Sequence, residues 1–165
     1  RHVRISNRFP HTVQRFTSAH ELAHASLHPS MRVLHRDRPM DPCQSERDPR
    51  ERAADLFAAR FLMPDELVRE WFFDRFHTDR FALDEGTAFA LCTSPFCDVI
   101  SRIKTYRGLT LLLARASKFN SRMYVSLATA FGVSDLAMAI RLEQLDLVAD
   151  LPPWSLTATT IRSGA

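Results

Sequence analysis

The apolar and polar positions of this chain fall mostly into helical periods. Residues 1–6, RHVRIS, alternate instead and predict a short edge strand that Phe9 and Pro10 end. A helix then starts at Thr17 or Ser18, either of which can cap it, and runs to about His28, where Pro29 stops it. Residues 29–49 hold Pro29, Pro39, Pro42 and Pro49 among many charges and read as a loop. The next helix opens at Asp48-Pro49-Arg50-Glu51, a cap residue followed by proline at the first helical position, and stops before Pro64. Its alanines, and apolar residues on most faces, predict burial. Pro64-Asp65-Glu66 opens a third helix over 65–76, with Leu67, Val68, Trp71, Phe72 and Phe76 as its apolar face. Residues 77–94 fit neither period. Residues 95–118 read as helical with a break at Gly108, and 123–131 with 134–147 form a helix pair around Gly132. The tail from Asp150 reads as mobile. The pattern is mainly α, an α+β chain with one small N-terminal β element.

A chain of 165 residues, 45% of them apolar, suits one domain or one with a small appendage. The formal net charge is only +3, although the pI is near 9.1. Arginine supplies nearly all the positive charge, since Lys104 and Lys118 are the only lysines. Acidic residues are interspersed almost throughout, so no basic stripe for nucleic acid stands out. The three cysteines, Cys43, Cys92 and Cys97, are an odd number and suggest reduced thiols in a cytoplasmic protein. A pair spaced as Cys92 and Cys97 could form half of a metal site, but no second pair completes it, and the two read as buried free thiols. No apolar run reaches the roughly 18 residues of a membrane span. No signal peptide is read, and the start at Arg1 suits a fragment or a processed form.

The chemistry is concentrated in FTSAHELAHASLH, residues 16–28. His20 and His24 are one helical turn apart, about 6 Å of rise, so both imidazoles leave one face and can converge on one ion. Glu21 is rotated about 100° from His20. It does not compete as a ligand, but it can reach a water beside the ion, which is the HExxH arrangement. His28 lies about 12 Å along the axis from His20. It reads as a helix-end histidine beside the C-terminal dipole rather than a ligand. The competing reading of the stretch is a half-exposed helix in which Glu21 completes a capping box with Ser18. A third ligand is available in Glu51. Asp55, one turn on, can accept the other ring N–H of a ligating histidine. Glu51 can instead belong to a capping box with Asp48, but that leaves the acidic Asp55 in an apolar helix unexplained.

Three blocks, RFTSAHELAHASLH, ERAADLFAARFLMP and LATAFGVSDLAMAIRLEQLDLV, together resemble the ImmA/IrrE family of metallopeptidases. The resemblance covers about half the chain. It implies a zincin-like metal-site core over 1–64. Residues 65–149 are a helical region, including the helix-turn-helix-like pair at 123–147, packed with that core as one domain, and 150–165 form a flexible tail. It maps His20 and His24 onto metal ligands, Glu51 onto the third ligand and Glu21 onto the general base. It implies a protein substrate, a helix-turn-helix repressor whose cleavage relieves repression. Zinc is the expected ion and manganese an alternative, because two imidazoles and a carboxylate suit several divalent metals. The sequence departs from the family pattern at Ala23, where glycine is usual, at Asp55, where asparagine is usual, and in a longer stretch over 65–125. An oxyanion donor is also required, and Tyr106, Tyr124, His35 and several arginines are the candidates.

Two other readings remain at this level. LATAFGVSDLAMAIRL alone is a helix-turn-helix pattern and suggests a DNA-binding regulator. Its second helix, however, carries Asp135, Glu143 and Asp146 against Arg141, poor chemistry for a phosphate backbone. The other is a non-catalytic zincin-like interaction module, or a toxin–antitoxin component, that binds metal and cuts nothing.

Overall fold

The computed structural model describes residues 5–27, 48–92, 103 and 105–151. The expectations for a strand over 1–4, for His28, His35 and the loop at 29–47, for Cys43 and Cys97, for a helix over 95–102 and for the tail beyond 151 lie outside them. Among the described residues, seven helices and one short hairpin follow one another, so the fold is mainly α.

The first helix, α1 (His11–Leu27), begins six residues before the expected cap. The Pro10 carbonyl accepts from the amides of Val13 and Gln14 at 2.9 and 3.0 Å. The Gln14 side chain donates to the Phe9 carbonyl at 2.7 Å and closes the end. Nothing between His11 and Thr17 forbids helix, and the polar Thr17 and Ser18 lie inside it. Ser18 donates back to the Gln14 carbonyl at 2.7 Å, a bond made within a helix, so it caps nothing.

The second helix, α2 (Pro49–Leu62), starts where the sequence places it, with Asp48 accepting from the Arg50 amide at 2.9 Å. It is not buried all round as expected. Its buried residues are Ala54, Ala58 and Ala59, while Leu56 and Phe61 are 40% and 59% exposed. The reason is its partner. α2 packs against α1, whose buried residues are Ala19, Ala23 and His24. Methyl side chains let the two axes approach closely, and the larger apolar residues are left on the far side.

α3 (Asp65–Phe76) keeps its expected bounds, and His77 ends it in the left-handed region at φ 54. Val68, Phe72 and Phe76 face the core, but Leu67 and Trp71, expected on the same face, are exposed. Arg75 takes the buried place beside them. It donates to the Val125 carbonyl at 2.8 and 3.2 Å and to the Trp71 carbonyl at 3.0 Å. Its guanidinium lies over the rings of Trp71 and Tyr124.

α4 (Glu85–Cys92) and α5 (Tyr106–Arg115) come next. Gly108 does not break α5. It stands in the first turn, and its amide donates to the cap residue Thr105 at 3.0 Å. The β element of the described chain is not N-terminal, since residues 5 and 6 form no strand. It is the hairpin β1 (Lys118–Phe119) and β2 (Arg122–Met123), which pairs Lys118 with Met123 and Phe119 with Arg122. Asn120 and Ser121 between them both have positive φ, 47 and 64, as a type I′ turn requires.

The helix pair is α6 (Leu127–Phe131) and α7 (Asp135–Gln144). α6 is shorter than expected at its start, because Arg122 and Met123 belong to β2 and Ser126 caps it through the Thr129 amide at 3.2 Å. Ser134 caps α7 through the Ala137 amide at 3.1 Å. The main core gathers Phe72, Phe76, Phe81, Leu109, Leu113, Phe119, Met138 and Leu142 from α3, α5, α7, β1 and the segment after α3. A bridge between Phe81 and Val148 ties in the chain after α7, through bonds of 2.8 Å from the Phe81 amide to Leu147 and from the Ala149 amide to Phe81.

Gly132 sits at the turn between α6 and α7 with φ +62. A Cβ there would stand 2.0 Å from Nη1 of Arg15, so α1 lies against this turn. Gly132→Ala is expected to cost about 1–2 kcal/mol through the left-handed backbone alone. The steric part is smaller, because the atom that must yield ends a flexible side chain. Thermal melts of Gly132→Ala with and without Arg15→Ala check this: Arg15→Ala should recover only a minor share of the loss.

Candidate metal centre

The α1–α2 pair brings together the residues that the sequence placed 31 positions apart, His20 and Glu51. His20 Nε2 lies 3.0 Å from His24 Nε2 and 3.2 Å from one Glu51 oxygen. His24 Nε2 lies 3.4 Å from the other Glu51 oxygen. His20 Nδ1 is 2.9 Å from Oδ1 of Asp55. His24 is buried, and His20, Glu51 and Asp55 are part-buried.

Local structure explains the convergence. The i, i+4 spacing on α1 sets the two imidazoles edge to face on one side of the helix, with ring centroids 4.7 Å apart. The same spacing on α2 sets Glu51 and Asp55 one above the other. Asp48 caps α2 through Arg50, and the Glu51 carboxylate turns toward the histidines instead of completing a capping box.

The donor set fits a small divalent cation. An ion about 2.0–2.1 Å from each of its ligands in a tetrahedral site spaces those ligands roughly 3.3 Å apart. The His20–His24 separation of 3.0 Å is close to such an edge, and the Glu51 carboxylate spans both imidazoles, with one oxygen 3.2 Å from His20 and the other 3.4 Å from His24. The three residues offer ligand atoms within 4.8 Å of one another, and they are the one such group of histidine, cysteine and carboxylate side chains among the described residues. With Asp55 accepting the Nδ1 proton, a neutral His20 turns a lone pair at Nε2 toward His24 and a carboxylate. That arrangement calls for a positive charge between them.

The electrostatics agree. Burial lowers the pKa of His20, but the hydrogen bond and charge of Asp55 and the charges of Glu51 and Glu21 outweigh it, and the net shift is upward from 6.5. A raised folded-state pKa stabilises the protonated fold. In metal-free protein this contribution is therefore full below about pH 6.5 and is lost as the pH rises through the raised value. Urea melts of chelator-treated protein at pH 5.5 and 8 should show it, and His20→Gln should narrow the difference between the two.

Glu21 is part-buried on α1, and its charge reaches His20. The capping-box alternative for it fails, because Ser18 is inside α1. Of the oxyanion candidates, Tyr106 and Tyr124 are engaged elsewhere. Tyr106 donates its hydroxyl to the Val148 carbonyl at 3.1 Å. Tyr124 packs on Phe76 and Arg75 with its hydroxyl buried, and burial raises its pKa to about 12 despite the nearby Arg75. Sequence reasoning missed the anchoring role of Arg141 on α7, which is 2% exposed. It donates to the Met63 carbonyl at 3.0 Å and pairs with Asp65. A lone arginine in an apolar helical period was the available signal.

Residues 1–85 match the model of the Peptidase_M78 family, the IrrE N-terminal-like domain. The chain belongs to the ImmA/IrrE family of metallopeptidases. The match spans both helices of the centre and so covers each of its residues. No curated protein and no solved structure matches the chain. Family membership makes the chain a peptidase-type hydrolase with a metal and a protein substrate. Among the described residues no helix is long and apolar enough to cross a membrane.

Proposed function

We propose that this chain is a metal-dependent endopeptidase of the cytoplasm. In this reading it hydrolyses a peptide bond in a helix-turn-helix type repressor and so relieves repression. The observation that carries the hydrolytic part is the convergence of His20 Nε2, His24 Nε2 and the Glu51 carboxylate, with Glu21 on the same helix. The repressor part rests on the three motif blocks shared with the family. Residues 1–64 are the metal-site core in this reading, and 65–149 pack with it.

His20, His24 and Glu51 hold zinc or manganese. When bound, the ion supplies a Lewis acid that polarises a carbonyl and acidifies water. Asp55 holds the Nδ1 proton of His20, which fixes the tautomer and keeps Nε2 facing the centre. Glu21 takes the proton of the attacking water and passes it to the leaving amine as the C–N bond breaks.

The DNA-binding alternative loses support in α7. Its one basic residue, Arg141, is buried against Met63 and Asp65, so α7 presents no cation to a phosphate backbone. The non-catalytic module is separated from the enzyme by Glu21→Gln. The variant should still take up metal, and its biological activity should vanish only if the protein is a peptidase.

The test is incubation of zinc- or manganese-loaded protein with helix-turn-helix repressors of the same genome, read by intact mass. One repressor cut at one bond, and left whole by Glu21→Gln, is the expected result. Metal uptake with no repressor cut sinks the substrate assignment. No metal uptake sinks the metallopeptidase reading itself.

A further inference from the structure

The inner side of α2 serves the metal centre, and its outer side has no partner among the described elements. Arg52, Leu56 and Arg60 form one row at four-residue spacing, all exposed and roughly opposite the buried Ala54 and Ala58. Phe57 and Phe61 make the adjacent row. Their rings stack with centroids 5.8 Å apart and planes 9° apart, although Phe61 is 59% exposed. Arginines beside aromatic rings are the composition of protein–protein hot spots rather than of an ordinary solvated face.

The next helix carries the opposite charge in the same layout. On α3, Glu66, Glu70 and Asp74 form an exposed row at four-residue spacing. The row runs between Leu67 and Phe73, which are 41% and 50% exposed. Arg52, Arg60, Glu66 and Glu70 form no ion pair among the described residues. Two consecutive helices thus offer a cationic apolar face and an anionic apolar face, each suited to the other and neither satisfied among the described residues.

We propose that these faces cover one another in a homodimer, in which α2 of each copy lies on α3 of the other. A two-fold arrangement uses both faces of both copies at once and leaves no complementary pair over, which is the commonest way for a soluble chain to self-associate. The surface is small. Helices of 14 and 12 residues are about 21 and 18 Å long, which places the dimer among weak, reversible ones in the micromolar range. The charge pairs fix its register, and Leu56, Phe61, Leu67 and Phe73 supply its apolar contact. The metal centre on the inner side of α2 stays uncovered, so the inference does not depend on peptidase activity.

Sedimentation of the full chain over a micromolar concentration series tests it. The mass should rise from 18.9 kDa toward twice that value, and less so in high salt. Arg52→Glu with Arg60→Glu should raise the dissociation constant at least about tenfold, and so should Glu66→Arg with Glu70→Arg. All four residues are exposed, so both variants should keep the wild-type circular dichroism and lose only a few degrees in melting temperature, the cost of reversing Arg60 in the last turn of α2 or Glu66 in the first turn of α3. Mixing them should restore association, because every facing pair in the mixed dimer is again opposite in charge. A wild-type chain that stays monomeric throughout, reversed variants that associate like wild type, or a mixture that fails to associate would each overturn the proposal. In the first case an acidic partner for α2 becomes the better reading of its outer face.

Discussion

Glu51→Ala should empty the metal centre. Wild-type protein should carry about one ion per chain by mass spectrometry, and the variant almost none. The remaining His20 and His24 supply two ligands from one helix, too few to hold a tetrahedral ion against buffer. The loss should appear in stability as well. An ion that binds the folded chain alone, at about a thousand times its dissociation constant, adds roughly 4 kcal/mol. Zinc should therefore raise the melting temperature of wild type by several degrees and leave Glu51→Ala unmoved. Two companion variants separate roles. Asp55→Leu keeps all three ligands but removes the acceptor that orients His20, and should lower metal affinity about 10–100-fold. Glu21→Gln should bind metal as wild type does and lose roughly 10²–10⁴-fold in peptide cleavage. If Glu51→Ala retains a full ion, His20, His24 and Glu51 are not the ligand set. If Glu21→Gln retains full cleavage, Glu21 is not the base.

Arg141→Leu should be the most damaging substitution outside the centre. The guanidinium is 2% exposed and joins three parts of the chain: it donates to the Met63 carbonyl at the end of α2, pairs with Asp65 at the start of α3, and reaches Gln144 on its own helix at 3.3 Å. Leucine leaves the buried Met63 carbonyl without its donor and fills less volume. The expected loss is about 2–4 kcal/mol, or roughly 5–15 °C in melting temperature. The Asp65 part of the loss is small, because that carboxylate is 47% exposed and water replaces the pairing. Arg69 donates to the Leu145 carbonyl at 2.9 Å, so α3 also grips the end of α7. Thermal melts with and without metal check the claim. Arg141→Leu should lower both by a similar amount, since its effect is on packing. A change confined to the metal-bound form would place Arg141 in the centre instead.

These effects also show which features were legible in the sequence. The two halves of the candidate metal centre were legible because each is local. A four-residue spacing on a helix sets two imidazoles on one face, and the same spacing sets Glu51 above Asp55, whatever the rest of the chain does. The start of α2 was legible for a similar reason, as Asp48 and Pro49 act on the backbone within one turn. The start of α1 was not, because Thr17 and Ser18 serve equally well inside a helix and at its cap, and only the Phe9–Pro10 end chooses between them. Gly108 misled for the same reason: a glycine is a break in mid-helix and harmless in a first turn.

Residue types at helical spacing by themselves pointed to a kind of chemistry and to the two helices that carry it, and the three motif blocks pointed to the family to which the chain belongs. The tertiary structure alone decided that α1 lies on the alanine stripe of α2, so that Glu51 meets both histidines and Leu56 and Phe61 stay outside. It also decided that Arg141 is spent inside the protein rather than offered to a phosphate. Periodicity states which residues share a face of a helix, and only packing against a particular neighbour states which face is covered.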